Sequence, residues 1–572
     1  MKFFQKVLLA PALVSIALPA FSESASDTLK ITVTGTRTER NADDIPASIT
    51  VFDLDDSRQN GVIELKDLVK YEPGVSVYDP REINYGGSVS SGNVKIRGLS
   101  NNRILMQKDG IRLPAGFYGV GYDYSNGNTV DYYSLSTIDV LKGPASVLYG
   151  SDALGGVVSF NSIKSEDILK DNESFKVEFP IDFNSSNRGA SGAIRIAGNE
   201  SESGLSYVGV ISTSRSGEIK PSNAAEEYVN DANISFKSLY LDFDKEINNS
   251  NSIGFSLDKY KKNREGTRAS SNLANYGPWF YYSSQESDVN IEKDRYVISW
   301  DYDSQNKDSF VDNLQAKVFY QKHFTDDVWN EFQYSSFVPQ YVTSDYELTD
   351  NSYGFDLQLG STVNDHLLTY GVDYSTTENK YKQDKYITSM AGVVSHVYRG
   401  TTYPIKRSPD TNTNRLGIFI QDEFDLGKAE MIAGLRFDNY ELNASADSLY
   451  LDYCKNGSST CPVSDLDTSN ISPKIAATYP LNDDLALWAQ YSKGFRAPSW
   501  WEMQASQTNL SASDPYQTVP NPDLKPETSN SYEIGFRGDY QKYNFELTSY
   551  YNTYNNFIET GDNKGIIDGV LT

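Results

Sequence analysis

Few residues in this chain are placed to do chemistry. Its three histidines are His323, His366 and His396, and its two cysteines are Cys454 and Cys461. A structural zinc site needs about four Cys and His ligands close together, and these residues are scattered. No Ser/His/Asp arrangement is recognisable, and no GxxxxGK[ST] phosphate loop occurs. The expectation is a protein that is not an enzyme and draws no energy from a nucleotide of its own. The cysteines lie in CKNGSSTC, a short polar stretch rich in Gly and Ser. In an exported protein that spacing reads as a disulfide across a loop, against two unpaired thiols.

The elements that position these residues begin with an address. Lys2 and Lys6 precede an apolar run from Val7 to Leu18, and Ala20-Phe21-Ser22 offers small residues for cleavage. Residues 1–22 therefore read as a signal peptide, cut after Ser22 or, as second choice, after Ala20. Beyond it no run of 18 or more apolar residues exists, so helical membrane spans are excluded. Aromatics reach 13%, and Tyr alone accounts for 41 residues. Tyr suits an interface that is half wet and half apolar, as in the girdles of membrane barrels. A soluble all-β protein can also be Tyr-rich. A net charge of −26 argues against a nucleic-acid partner, which needs a basic patch.

Length implies at least two units. Residues 23–44 are polar and extended, 45–165 mix short strands with helical stretches, and 166–572 form a long series of alternating strands. Leu239, Leu241 and Phe243 alternate with Tyr240, Asp242 and Asp244. Leu485, Leu487, Ala489 and Tyr491 alternate with Ala486, Trp488, Gln490 and Ser492. Successive strand side chains point to opposite faces, so each strand has an apolar and a more polar side. The connections alternate too. Short turns fall near Asn199–Glu202, Ile247–Asn249, Asn364, Leu426–Gly427, Leu481–Asn482 and Tyr540–Gln541. Long loops are expected at 216–233, 262–289, 327–349, 381–411, 444–469 and 495–529. Short turns on one side and long loops on the other are the outer-membrane barrel pattern. Such a sheet must close, because lipid cannot satisfy an open strand edge. The reading is membrane β: a large antiparallel transmembrane β-barrel preceded by an N-terminal α/β unit.

Four stretches, in this order, carry a family resemblance: IPASITVFD (45–53), VKIRGLS (94–100), ILMQKDGIRLP (104–114) and IDVLKGPASVLYGSDALGGVVSF (138–160). They resemble the plug of TonB-dependent outer-membrane receptors. The resemblance extends more loosely through the barrel and implies an N-terminal α/β plug in the lumen, 22 strands, an outer-membrane location, and a periplasmic TonB-type coupling protein as partner. It also implies that Leu29, Lys30, Ile31, Thr32 and Val33, in the β-prone stretch DTLKITVTG, are the core of the TonB box. A short strand of this kind can add to the edge of a partner's sheet.

KGFRAPSWWEM (493–503) and VPNPDLKPETS (519–529) lie at the two ends of one long loop. The pair resembles the FRAP and NPNL motifs of the haem and haemoglobin receptor branch. Phe495, Arg496, Ala497 and Pro498 match the first; Asn521, Pro522 and Leu524 match the second, with Asp523 replacing Asn. The resemblance implies that Phe495, Arg496, Pro498, Asn521, Pro522 and Leu524 contact ligand. Arg496 would hold a carboxylate in a bidentate fork, or else pair with a lumenal acid. The branch carries a His between the motifs and another on the plug; residues 499–520 contain none here. Iron also accepts a Tyr phenolate. The plug apex GFYGVGYDYSNG offers Tyr118, Tyr122 and Tyr124 as ligand contacts, with Tyr124 or the Met503 thioether as haem-iron ligand. His396 in an outer loop, or His323 near the outer end of a strand, are alternatives.

No permanently bound cofactor is expected; haem or a ferric chelate is the transported ligand. Haem or a haemoprotein comes first, a ferric siderophore second, cobalamin third. Outer-membrane lipid is the surrounding medium. A signal-transducing variant would carry an extra domain before the TonB box, and too few residues lie there to form one. Roughly fifteen or sixteen strands are legible against the 22 of such transporters, and the chain ends without a terminal aromatic, so about six strands look to be missing.

Overall fold

The computed structural model describes residues 31–571 except 33, 39, 60–64, 78–93, 117–124, 127–128, 218–231, 268–279, 307–308, 336–337, 399, 458–460, 462, 510–515, 541–542, 560–565 and 568–569. The signal-peptide and cleavage readings, Leu29, Lys30, Val33, Tyr118, Tyr122 and Tyr124 therefore lie outside the described residues.

Two sheets dominate. The smaller has five strands in the spatial order Ser48–Asp53, Leu135–Lys142, Gly156–Ser162, Ile104–Lys108 and Ile111–Arg112. Only the pairing of Gly156–Ser162 with Ile104–Lys108 is parallel. Its apolar core includes Ile96, Ile138, Val140, Val158 and Phe160. Gly156 has φ of +155°, and a Cβ there would strike the Leu141 carbonyl, so the strand can pair this closely only with glycine.

The larger sheet has seventeen antiparallel strands, running in chain order from Phe175–Glu178 to Tyr543–Asn555. Its burial is inverted relative to a soluble sheet. Ser238, Tyr240 and Asp242 are buried, while Phe243 between them and the next turn is 39% exposed. Trp488, Gln490 and Ser492 are buried on another strand. Exposed instead are Ile194, Phe255, Ile298, Val318, Phe355, Ile418, Phe437, Ile475 and Phe536, each on a different strand. An apolar band of that extent is not left in water; it fits a strand wall with lipid outside and polar groups inside. This inversion separates the fold from a soluble sandwich, which local alternation does not.

The large sheet packs around the small one. N-terminal-unit residues reach strands from both ends of the large sheet: Asp55 meets Arg195 at 3.0 Å, Lys108 meets Asp258 at 2.9 Å, and Arg97 meets Glu533 at 2.7 Å. At Gly143 (φ +103°) a Cβ would collide with the Glu533 carboxylate, so the backbone approaches the wall too closely for any other residue.

Two sequence expectations need correcting. Residues 280–289, 327–335, 338–349 and 381–389, read as loop, are strand. Phe280–Asp303, Asn313–Ser335, Val338–Val363 and His366–Ser389 run 24, 23, 26 and 24 residues. Past the apolar band the pairing continues and burial still alternates, but the buried face mixes Asp327, Glu331 and Ser344 with Trp329, Tyr346 and Leu348, so the apolar–polar alternation that marks a strand in the sequence is blurred. For the same reason His323 sits mid-strand and almost fully buried, not near an outer end. The second correction concerns residues 34–44, read as part of a flexible tail. Thr34 and Thr36 are fully buried. Thr34 donates to Asp139 at 2.6 Å, Gln421 donates to the Thr36 carbonyl at 2.8 Å, and Arg37 stacks over Phe419 at 4.2 Å. Partners more than a hundred residues away leave no local signal.

Asp109, at the tip between Ile104–Lys108 and Ile111–Arg112, gives this seam an acid sensitivity. Burial works to raise its pKa, but Arg295, Lys108 and the Ser162 amide and hydroxyl outweigh it and hold the carboxyl below the ordinary range. The stabilisation is complete above the unfolded value of about 3.9 and is lost as pH falls through the lower folded value. Melting curves between pH 3 and 5 are expected to flatten in Asp109→Asn; an unchanged acid slope would count against this assignment.

Candidate functional site

The FRAP-like segment closes the strand Leu485–Arg496, which pairs with Glu527–Tyr540, and a long outer connection joins the two. Just beyond, Trp500–Gln504 is a short helix with a capping box. The Ser499 hydroxyl accepts from the Glu502 amide at 3.3 Å, and Glu502 accepts from the Ser499 amide at 2.8 Å. Asn521, at the other end of the connection, donates its amide to the Met503 carbonyl at 3.1 Å. The two motifs are thus stitched together.

Arg496 is fully buried and engaged. Its Nε reaches Glu527 at 2.7 Å, and its Nη atoms take both oxygens of Glu502 at 2.9 to 3.0 Å. Glu527 also accepts from Arg103 Nε at 2.9 Å and Nη2 at 2.6 Å, and from the Ile558 amide at 2.6 Å. Arg103, Glu527, Arg496 and Glu502 form one alternating chain of charge from the small sheet to the outer helix. Of the readings open for Arg496, this geometry is that of pairing with lumenal acids. Beside it, Phe495 donates its amide to the Ser146 hydroxyl at 2.9 Å and accepts from the Asp152 amide at 3.2 Å, while Ala497 donates to Ser151 at 3.0 Å. Pro498 lends its carbonyl to Tyr440 at 3.1 Å. Phe495 and Trp500 share an aromatic cluster with Trp329, Tyr346, Tyr381 and Tyr440.

Beside that cluster lies a small open-mouthed cavity of about 50 Å³. Asn102 and Arg112 of the N-terminal unit face Gln321, Asp350 and Arg415 of the wall across it, under Trp500.

The other expected residues are less enclosed or differently placed. Pro522 is exposed, Asn521 and Leu524 are half-buried, and Met503 is buried beneath its helix. Ile31–Thr32 pairs as a strand with Arg40–Asn41. His366 lies at a turn, 2.9 Å from Asp422, and His396 is half-exposed beside Asp384 at 3.3 Å. Among the described residues no group of three or more His, Cys, Asp or Glu is placed to hold a metal ion. Arg103, Glu502, Arg415 and Gln321 were not singled out from sequence. Glu502 and Glu527 lie inside the motifs quoted above, but no local pattern assigns them partners.

Cys454 is bonded to Cys461, with Cα atoms 5.8 Å apart. The helix Ser448–Gly457 buries Tyr450, Tyr453 and Cys454 on one face. Closing so short a loop restricts the unfolded chain by about 2–3 kcal/mol. Cys454→Ser with Cys461→Ser is expected to speed proteolysis of residues 446–465 and leave the global melting midpoint within about 2 °C, because the closed loop is short and Lys406–Asp447 and Gln504–Ser464 still hold its ends. A large drop in midpoint would contradict that.

Residues 230–570 match the family model "TonB dependent receptor-like, beta-barrel", and residues 41–157 match "TonB-dependent Receptor Plug Domain". The chain belongs to the TonB-dependent receptors. The large sheet is the receptor's outer-membrane barrel wall and the small one its plug. The receptor is 26% identical over 532 residues to a hemin receptor of Yersinia enterocolitica, covering 89% of this chain and 66% of that protein. It is 22% identical to the vitamin B12 transporter BtuB of Vibrio vulnificus, over 97% of this chain and 75% of that one. The receptor thus spans about two thirds of the length of the hemin receptor. In fold it is similar to the Serratia marcescens hemophore receptor HasR, solved with its hemophore HasA and heme. That likeness has a TM-score of 0.66 at 17% identity, over 90% of this chain and 74% of that one. It is also similar to P. aeruginosa FpvA bound to a pyoverdine–iron complex, with a TM-score of 0.61 at 18% identity, over 91% of this chain and 65% of that one.

Proposed function

We propose that this receptor takes up an iron-bearing ligand across the outer membrane, haem or haem drawn from a haemoprotein, with a periplasmic TonB-type protein supplying the pull. The observation that carries the reading is the alternating ion chain from Arg103 through Glu527 and Arg496 to Glu502, which ties the plug to the helix of an outer loop. A ligand that settles on this loop changes contacts shared with the plug, and a strand pulled from below acts on the same plug. Thr34, Thr36, Arg37 and Arg40 are held by the plug and wall, so force on Leu29–Val33 arrives at Thr34 and Arg40 rather than at a slack tether. No step here needs a bound catalyst: haem or a ferric chelate is cargo.

The hemin receptors support haem, and FRAP completes the likeness. The missing histidines favour a second reading, a ferric siderophore, which needs no imidazole ligand. Tyr118, Tyr122 and Tyr124 at the plug apex, with Phe495, Asn521, Pro522 and Leu524 around the outer loop, are the proposed contacts. The test is haemin titration of the purified protein in detergent, followed at the Soret band with a ferric siderophore as competitor. A saturable shift lost on changing the three tyrosines together to Phe supports haem with a phenolate ligand. A shift that survives keeps haem and removes the tyrosines. No shift, with siderophore quenching of Trp500 or Trp501 fluorescence, moves the reading to siderophore.

A further inference from the structure

We propose that the cavity under Trp500 is a carboxylate-receiving station between plug and wall, with Arg415 as its fork. The inference deepens the uptake reading and rests on it for the cargo's identity, though not for the carboxylate chemistry.

Four lumenal arginines near the seam of plug and wall are matched by carboxylates. Arg97 faces Glu533, Arg103 and Arg496 face Glu527, and Arg436 faces Asp373. Arg415 has no carboxylate at ion-pair distance among the described residues. Its Nη1 reaches only the Thr377 hydroxyl, at 3.4 Å, and its plane lies 5.3 Å from the centre of the Tyr440 ring. Its Nε is buried with no hydrogen-bond partner among the described residues. Nε and Nη2 are the parallel donors that fit the two oxygens of a carboxylate. A buried donor without an acceptor is rare and unfavourable, and calls for an explanation.

Gln321 lines the same space and mirrors the situation. It is almost fully buried. Its Nε2 is directed to the Arg112 carbonyl and the Ser352 hydroxyl at 3.3 and 3.4 Å, while its Oε1 has no partner among the described residues. Asp350, also at the cavity, accepts from Asn379 at 3.2 Å. Residues lining the cavity therefore carry one unmatched donor, Arg415 Nε, and one unmatched acceptor, Gln321 Oε1, among the described residues. Phe319, Tyr440 and Trp500 supply flat apolar sides. The chemical class that satisfies all three is a carboxylate with a neighbouring N–H or O–H donor, carried on an aromatic or apolar body.

The test uses the full chain in detergent and two small quenchers of similar size, trichloroacetate and the neutral trichloroethanol. Trichloroacetate is expected to quench tryptophan fluorescence saturably, and trichloroethanol only in proportion to its concentration. The saturable part should vanish in Trp500→Phe, which removes the reporter. Its midpoint should rise at least ten-fold in Arg415→Gln and less in Arg415→Lys, which keeps the charge without the fork. Linear quenching by both compounds overturns the proposal, as does a wild-type midpoint in Arg415→Gln. If Arg415→Gln does not fold, Arg415→Lys decides by the same criterion. Saturable trichloroacetate quenching without a haemin Soret shift keeps the station and ends the haem reading. A haemin shift without saturable quenching does the reverse.

Discussion

Glu527→Ala is expected to be the most damaging single substitution in the wall. Glu527 is 1% exposed and accepts from two arginines and the Ile558 amide. Removing it leaves Arg103 with no carboxylate and Arg496 with Glu502 alone, two guanidinium groups side by side at the seam. Breaking one partner out of a buried ion pair costs about 3–5 kcal/mol, and here the loss falls at the seam of plug, wall and outer helix together. The measurement is thermal melting in detergent, paired with limited proteolysis of the plug. The expected result is a lower midpoint and faster cleavage between residues 94 and 116. Glu527→Gln keeps the shape and one acceptor and should lose less. Restoring neutrality with Arg103→Met in the Glu527→Ala background should recover part of the loss, as coupled neighbours do. A midpoint unchanged in Glu527→Ala would mean that the chain of charge does not hold the seam.

The second large effect is on transport alone. Ile31→Pro is expected to reduce energy-dependent uptake to the background of cells lacking the coupling protein, with ligand binding unchanged. A strand that adds to a partner's sheet does so through its main-chain N–H and C=O groups. Proline removes one donor and fixes φ, which a paired strand interior does not tolerate. Ile31 and Thr32 already pair with Asn41 and Arg40, so they are extended before any partner arrives. Uptake of radiolabelled ligand in whole cells, set beside binding at 4 °C, separates the two steps. Uptake at the wild-type rate would remove Leu29–Val33 from the coupling role.

Much of this fold is legible in the amino-acid order, for identifiable reasons. Leu239 to Asp244 announces a strand because lipid and lumen demand opposite side chains on alternate residues. Leu141 to Val158 announces the plug because its glycines sit where the backbone must turn or approach the wall closely. Legibility stops where neither constraint acts. Along 327–349 burial still alternates, but Asp327, Glu331, Gln333 and Ser344 share the buried face with Trp329, Tyr346 and Leu348, so residue type does not follow it. Thr34 and Arg37 are fixed by Asp139 and Phe419, and only the folded wall brings those near. Arg496 shows the same limit at the site. Its residue type points to a carboxylate, but the spacing does not say whether that carboxylate belongs to a ligand or to Glu502 and Glu527. Arg415 and Gln321 belong to no motif and are distinguished only by what the folded chain leaves unmatched around them.

The unequal strand lengths shape the mouth of the receptor. Gly189–Glu200 and Leu205–Ser216 have 12 residues each, whereas Val338–Val363 has 26. At about 3.3 Å per residue and a tilt of about 40°, the short strands rise about 30 Å, roughly the thickness of the hydrocarbon layer. By the same geometry the longest rises about 65 Å. Among the described residues the paired wall therefore ends near the membrane surface at the short strands and stands about 35 Å higher at the longest, like a bandshell rather than a well. A small chelate can drop in from any direction. A bulky ligand arriving over the long strands meets that standing wall, which restricts its orientation before any side chain has recognised it.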